Sequence, residues 1–188
     1  TTRYKFNDKT PALYKTTNYG KSWKAISEGI PDGAYTRVIR EDAMQKGLLY
    51  AGTETGLYIS WDDGENWEAF QLNLPRTPIT DLKVHQGDLI VATSGRSFWI
   101  LDNLNLLAQY AAAKTNKPHL YKPEPVIYGM PASEMNSSEG DGVHPFSGVN
   151  PANGVVIYYD LGSSVPEGVV TLEVYDRSNK LITRLNSE

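Results

Sequence analysis

Apolar, β-branched and aromatic residues cluster at 36–40, 48–52, 56–60 and 67–71, and Gly, Pro, Asp or Asn interrupts each cluster. Short runs punctuated in this way predict four consecutive β-strands. The pattern changes at 103–114 (NLNLLAQYAAAK), where Leu104, Leu107 and Ala111 fall at helical spacing behind Asn103 as a cap, which predicts one short helix. Periodicity then disappears over 117–153, which is rich in Pro, Gly, Ser and Glu and includes Pro123, Pro125, Pro131, Pro145 and Pro151. This stretch reads as a partly extended linker. Strand-like runs return at 155–161, 169–175 and 181–185, the last two joined by Asp176-Arg177-Ser178-Asn179.

The first of these regions is internally repeated. Residues 12–23 (ALYKTTNYGKSW) align without a gap on 56–67 (GLYISWDDGENW), an offset of 44 residues. That spacing suits a four-stranded propeller blade of about 40–50 residues. A partial third copy aligns 48–59 on 89–100 at an offset of 41, but Leu101-Asp102-Asn103-Leu104 then replaces the turn motif. In the first copy only residues 4–6 stand before the strand at 13–15, so the chain is expected to begin inside a blade. Blades exposed in this way leave apolar faces and open strand edges. Their remaining partners are expected from upstream sequence or from another chain.

The repeated turn carries a specific motif. Ser60-x-Asp62-x-Gly64-x-x-Trp67 fits the pattern S-x-D-x-G-x-x-W throughout, and Thr16-x-Asn18-x-Gly20-x-x-Trp23 fits it with two conservative changes. The residue types suit turn building. A carboxylate accepts backbone N–H bonds, Gly takes a positive φ, and Trp covers the gap between neighbouring sheets. Asp62, Asp63 and Glu65 do not meet the D-x-[DN]-x-[DN]-G spacing of a calcium loop, and neither a metal nor a cofactor is expected.

On these motifs the chain resembles the BNR or Asp-box β-propellers, a group that includes sialidases, xyloglucan-cleaving glycosidases and sortilin-type receptors. The stretches LLYAGTETGLYISWDDGENW, QLNLPRTPITDLKVH and GRSFWILDNL look most like large bacterial BNR-repeat proteins labelled glycosyl hydrolases. In that subgroup a Thr-His-Gly-Arg string precedes the aromatic pair. Ser94 stands where its His would be, so no role of that His transfers. A comparable NGxxIYY strand opens a C-terminal sandwich domain there. The resemblance implies an all-β chain with the last blades of a propeller at 1–107, a short helix and linker at 108–153, and the first strands of an immunoglobulin-like β-sandwich at 154–188. It also implies an extracytoplasmic location.

Composition narrows the function classes. With 12 Tyr, 4 Trp, 16 Gly and 11 Pro, it favours short strands and tight turns over a helical bundle. A net charge of −4, with 18 basic residues scattered along the chain, offers no footprint for nucleic acid or an anionic membrane. No apolar run approaches a membrane span. The absence of cysteine excludes disulfides, a thiol nucleophile and a Cys-based zinc site. His85, His119 and His144 stand apart from any nucleophile or ligand-spaced partner, and Asn136-Ser137-Ser138 is a formal glycosylation sequon.

In Asp-box propellers ligands bind on the rim opposite the box turns, which places loops 31–35, 53–55, 74–78 and 94–97 at the mouth. Their candidate ligand residues are Tyr35, Arg37, Glu54, Arg76 and Arg96. A Glu with several Arg would suit an acidic sugar or a peptide carboxylate; the competing reading is an ion pair between Glu54 and Arg96 on adjacent blades. The Arg-Ile-Pro signature of sialidases is absent. The expected function is therefore non-catalytic binding of glycans or proteins at the channel mouth. A glycoside hydrolase and a sortilin-like peptide receptor are the alternatives, and the cysteine-free tail argues against the receptor.

Overall fold

The computed structural model describes residues 3–113, 117–126, 154–162 and 168–187. The sequon, His144 and most of the Pro-rich linker lie outside the described residues. The fold is mostly β, with one α-helix among the described residues. The chain divides into two compact units, Thr1–Lys114 with Tyr121–Tyr158, and Thr115–Leu120 with Tyr159–Glu188.

Among the described residues the first unit carries three antiparallel sheets. Sheet A pairs β1 (Tyr14–Lys15) with β2 (Lys24–Ala25). Sheet B is a four-stranded meander of β3 (Thr36–Glu41), β4 (Leu49–Thr53), β5 (Leu57–Ser60) and β6 (Glu68–Ala69). Sheet C contains β7 (Ile79–His85), β8 (Asp88–Thr93) and β9 (Phe98–Leu101). The four strands expected at 36–71 are thus present, with the fourth shorter than predicted. Residues 4–6 are not a strand. They form a 3₁₀ turn closed by Phe6 N–H on the Arg3 carbonyl at 2.8 Å, with Asn7 left-handed at φ 61°.

Sheet B is covered on both faces, so β4 and β5 are buried along their whole length. Alternation assigns each residue a side. Leu49, Ala51, Tyr58 and Trp67 pack with Leu13, Ile26, Ile30 and Ala34 of the preceding repeat. Leu48, Tyr50, Leu57 and Ile59 pack with Ile79, Leu82, Leu89 and Val91 of sheet C. We call the first side of each sheet its leading face and the second its trailing face.

Helix α1 (Leu104–Ala113) follows sheet C where a third box turn would stand. Leu104 N–H bonds to the Gly87 carbonyl at 2.7 Å, as Asp63 N–H bonds to Gly47 at 2.8 Å. Leu104 and Leu107 join the apolar core between sheets B and C. Asn103 precedes the helix but does not cap it, because its buried Oδ1 accepts no hydrogen bond in the structure. Its backbone is left-handed at φ 60°.

In the second unit β10 (His119–Leu120) pairs with β11 (Tyr159–Asp160), and β12 (Thr171–Tyr175) pairs with β13 (Leu181–Asn186). Two differences from expectation appear here. Part of the predicted linker is strand β10, and of the strand expected at 155–161 only Tyr159–Asp160 has a ladder partner. The predicted hairpin turn is present. Asp176 Oδ1 accepts the N–H groups of Ser178 and Lys180, and Asn179 takes φ 65°.

The two boxes fold alike, atom for atom. Gly64 N–H donates to Ser60 Oγ at 2.9 Å and Asn66 N–H to Asp62 Oδ1 at 2.9 Å. In the first box, Gly20 N–H donates to Thr16 Oγ1 at 2.9 Å and Ser22 N–H to Asn18 Oδ1 at 2.9 Å. Gly20 and Gly64 sit at φ 84° and 89°. The acidic residues of the second box are all engaged: Asp62 within the turn, Asp63 by Lys15, and Glu65 by Lys24. Burial disfavours the Asp62 carboxylate, but hydrogen bonds from Asn66 and Ser60 outweigh this and hold its pKa below the ordinary carboxylate value.

Trp67 joins sheet B to sheet A. Its Nε1–H donates to the Ile26 carbonyl at 2.7 Å and its backbone N–H to the Glu28 carbonyl at 2.8 Å. Gly29, at φ 92°, lies so close that a Cβ would stand 2.1 Å from the Trp67 carbonyl oxygen. Trp67 is 4% exposed, whereas Trp23, its counterpart on sheet A, is 60% exposed.

Two outcomes follow for the full chain. Trp67→Ala removes a buried ring and orphans a carbonyl, and should lower unfolding stability by about 4 kcal/mol. Trp23→Ala, on dilute protein, should change it by less than about 0.5 kcal/mol; urea titration measures both. Asp62→Asn should cost no more than about 1 kcal/mol at neutral pH, because Asn18 already performs the same role. A depressed folded pKa stabilises above the unfolded value and loses that stabilisation as pH falls through the folded value. Wild type should therefore lose its advantage over Asp62→Asn below about pH 4, which denaturation midpoints across an acid series would show.

Candidate functional site

Box turns and the loops joining the second and third strands lie at opposite ends of the sheets, since β5 runs from one to the other. At the end away from the boxes, Thr53 shapes the β4–β5 loop. Its Oγ1 accepts the N–H groups of Thr55 and Gly56 and donates to the Gly56 carbonyl. Thr93 does the same in sheet C, accepting from Arg96 N–H at 3.1 Å and donating to Ser97 at 2.6 Å. The sheet C loop is one residue longer, which accounts for the change from the four-residue 53–56 loop to the five-residue 93–97 loop.

Tyr35, Arg37 and Glu54 come together on sheet B. Glu54 N–H bonds to the Tyr35 carbonyl at 3.0 Å, which fixes the loop beside the start of β3. The β3–β4 register shifts between Thr36 and Val38, so Arg37 is the extra residue of a bulge; bulges redirect a side chain out of the regular ladder. Arg37 Nε and Nη2 both donate to Glu54 Oε2, at 2.8 and 2.6 Å, and Nη2 also donates to Tyr35 Oη at 2.9 Å.

Tyr4 completes the cluster from the 3₁₀ turn. Its ring stacks on Tyr35 with centroids 4.8 Å apart and planes 6° from parallel. The Arg37 guanidinium lies 5.2 Å from the Tyr35 centroid and 5.9 Å from that of Tyr4. Tyr35 is consequently buried, and the exposed aromatic surface belongs to Tyr4. No sequence spacing links positions 4 and 35, and the aromatic residue of a short turn was the only available signal.

Electrostatics make this a neutral, closed group. Burial raises the Tyr35 pKa, Glu54 adds to the rise, and Arg37 opposes it. A buried phenol with a raised pKa is the reverse of an activated nucleophile. Burial disfavours charge on Arg37, but the Glu54 carboxylate more than compensates and raises its pKa. A glycosidase dyad needs two carboxyl groups about 5 Å apart, and the hydrogen-bonded cluster contains one.

Arg76 and Arg96 do not join the group. Both are exposed and, among the described residues, neither side chain has a hydrogen bond or ion pair. The reading of Glu54 and Arg96 as an inter-sheet ion pair is corrected: Glu54 pairs with Arg37 of its own sheet, which reaches it through the bulge. Sheets B and C are instead bridged by Arg40 and Asp81 at 2.8 Å. Among the described residues no group of His, Asp or Glu could hold a metal ion, and no helix is long and apolar enough to cross a membrane.

The cluster is not a requirement of the repeat. Sheet C places Pro78, Thr80 and Ser94 at the positions of Tyr35, Arg37 and Glu54: Thr80 lies at the matching register shift, and Ser94 N–H bonds to the Pro78 carbonyl at 2.9 Å. The same backbone frame therefore forms without the aromatic ring, the guanidinium or the carboxylate. No protein-family model matches this chain, and no curated protein does.

Proposed function

We propose that sheets A, B and C are blades of an Asp-box β-propeller, that the second unit opens an immunoglobulin-like sandwich, and that the protein is an extracytoplasmic, non-catalytic glycan-binding module. The duplicated box geometry, the four-stranded meander and the tryptophan link between successive sheets support the blade reading. Further sheets complete the propeller.

The ligand reading is carried by one observation. Tyr35, Arg37 and Glu54 form a cluster with Tyr4 that the equivalent positions of sheet C do without. A feature absent from an equivalent frame is not needed for folding that frame. Because Arg37 and Glu54 neutralise each other, the group favours an uncharged sugar over the acidic sugar or peptide carboxylate that its arginines suggest in sequence. The exposed Tyr4 face suits stacking on a pyranose ring, and Arg37 and Glu54 suit its hydroxyls.

Titration calorimetry with neutral and sialylated oligosaccharides tests this. Neutral oligosaccharides should bind, and Tyr4→Ala and Glu54→Gln should each weaken binding by at least about tenfold, with no reducing ends released by wild type. A preference for sialylated ligands would overturn the ligand class. Turnover abolished by Glu54→Gln would overturn the non-catalytic reading in favour of a glycoside hydrolase.

A further inference from the structure

Thr53 ends β4 fully buried, at 0% exposed. Valine has the same branched shape and suits a strand as well, so the sequence carries a hydroxyl where burial favours a methyl group. The loop that follows uses that hydroxyl. Of its four amides, two donate to carbonyls, Thr53 N–H to Gly56 at 2.9 Å and Glu54 N–H to Tyr35 at 3.0 Å. The other two, of Thr55 and Gly56, donate to Thr53 Oγ1 at 3.1 Å each, and the hydroxyl donates in turn to the Gly56 carbonyl at 2.9 Å. Gly56 closes the loop against Gln71, whose Oε1 would stand 2.1 Å from a Cβ at that position. The backbone that carries Glu54 is thus fixed amide by amide.

Glu54 needs a fixed backbone. The side chains of Arg37 and Glu54 are 29% and 33% exposed. An ion pair that open gains little from charge alone and costs the freedom of two long side chains. Yet Arg37 aims both Nε and Nη2 at one oxygen, Oε2, at 2.8 and 2.6 Å. The two side chains meet because their backbones are set beforehand, Arg37 by the bulge and Glu54 by the Thr53 hydroxyl. Sheet C supplies the contrast. Thr93 makes the same bond to a loop carbonyl, but among the described residues its hydroxyl accepts one loop amide, that of Arg96, and the residue after it is Ser94 rather than a carboxylate.

We infer that Thr53 is the positioning residue of the site. Its hydroxyl, out of reach of any ligand, holds the β4–β5 loop so that Glu54 closes on Arg37, and affinity depends on it through that pair. The inference rests on the sugar-binding reading above for the ligand, and on loop geometry alone for the pair.

Thr53→Val and Thr53→Ser test it on the full chain, since the first keeps the shape without the hydroxyl and the second keeps the hydroxyl. In ligand-free protein the Arg37 Nε–H signal, assigned by its loss in Arg37→Lys, is read by heteronuclear NMR. Its exchange with water should be at least about tenfold faster in Thr53→Val than in wild type, and near wild type in Thr53→Ser. Calorimetry with a neutral oligosaccharide should show binding weakened about tenfold in Thr53→Val and restored to within about twofold of wild type in Thr53→Ser. Thr93→Val, the same change in sheet C, should alter neither readout. An unchanged Nε–H signal in Thr53→Val overturns the inference, as does an equal loss in Thr53→Ser or Thr93→Val. The Thr55 and Gly56 amides of wild type should exchange slowly, and fast exchange there overturns the inference even where Thr53→Val does not fold. A wild type that binds no neutral oligosaccharide sinks the sugar reading alone, because the Nε–H signal still judges the positioning role.

Discussion

A tryptophan that closes its own turn and also reaches across to the preceding sheet couples two levels of structure. Trp67 ends the box that joins β5 to β6, and its indole N–H binds the Ile26 carbonyl beyond β2. An aromatic ring of this size buries roughly 200 Å², worth ~5 kcal/mol of apolar transfer. Sheet A has two short strands, and Leu49, Ala51 and Tyr58 of sheet B pack beside the ring in the same cluster. Leu13, Ile26, Ile30 and Ala34 are ordered around that ring, and Gly29 is left without a side chain so that the two backbones can touch. The placement of sheet A against sheet B thus depends on a contact that the second repeat offers to the first.

This dependence explains which features were legible in sequence. The boxes were legible because their hydrogen bonds span no more than four residues, and residue types at fixed spacing therefore report them directly. The meander strands and the helix were legible for a similar reason: each has a local periodicity that survives without its neighbours. Tyr35, Arg37 and Glu54 could be placed at one end of one sheet by counting strands. Their mutual pairing could not, because it turns on a bulge at Arg37 that leaves no mark in the hydrophobic pattern. Tyr4 belongs to a 3₁₀ turn and stacks on Tyr35, a contact that nothing in the spacing of the two residues announces. Asn103 was read as a cap from its type and position, but its backbone is left-handed and its buried Oδ1 accepts no hydrogen bond.

The two ends of the sheets carry different chemistry. At the box end, acidic side chains are consumed by turn amides and by lysines of the preceding sheet, which leaves them as structural partners. At the other end, the equivalent frame accepts an aromatic, a guanidinium and a carboxylate in sheet B, and a proline and two hydroxyls in sheet C. Fixed geometry and variable side chains are thereby separated along the length of each strand.

The loops around Thr53 and Thr93 extend that separation. A threonine hydroxyl organises each turn, although the second contains an additional residue, and the strands on either side keep their pairing. Between these two sheets a loop at that end is one residue longer, and the strand pairs on either side of it match. Loop length at that end can therefore change by insertion and deletion, as well as composition by substitution, while the strand pairing is kept.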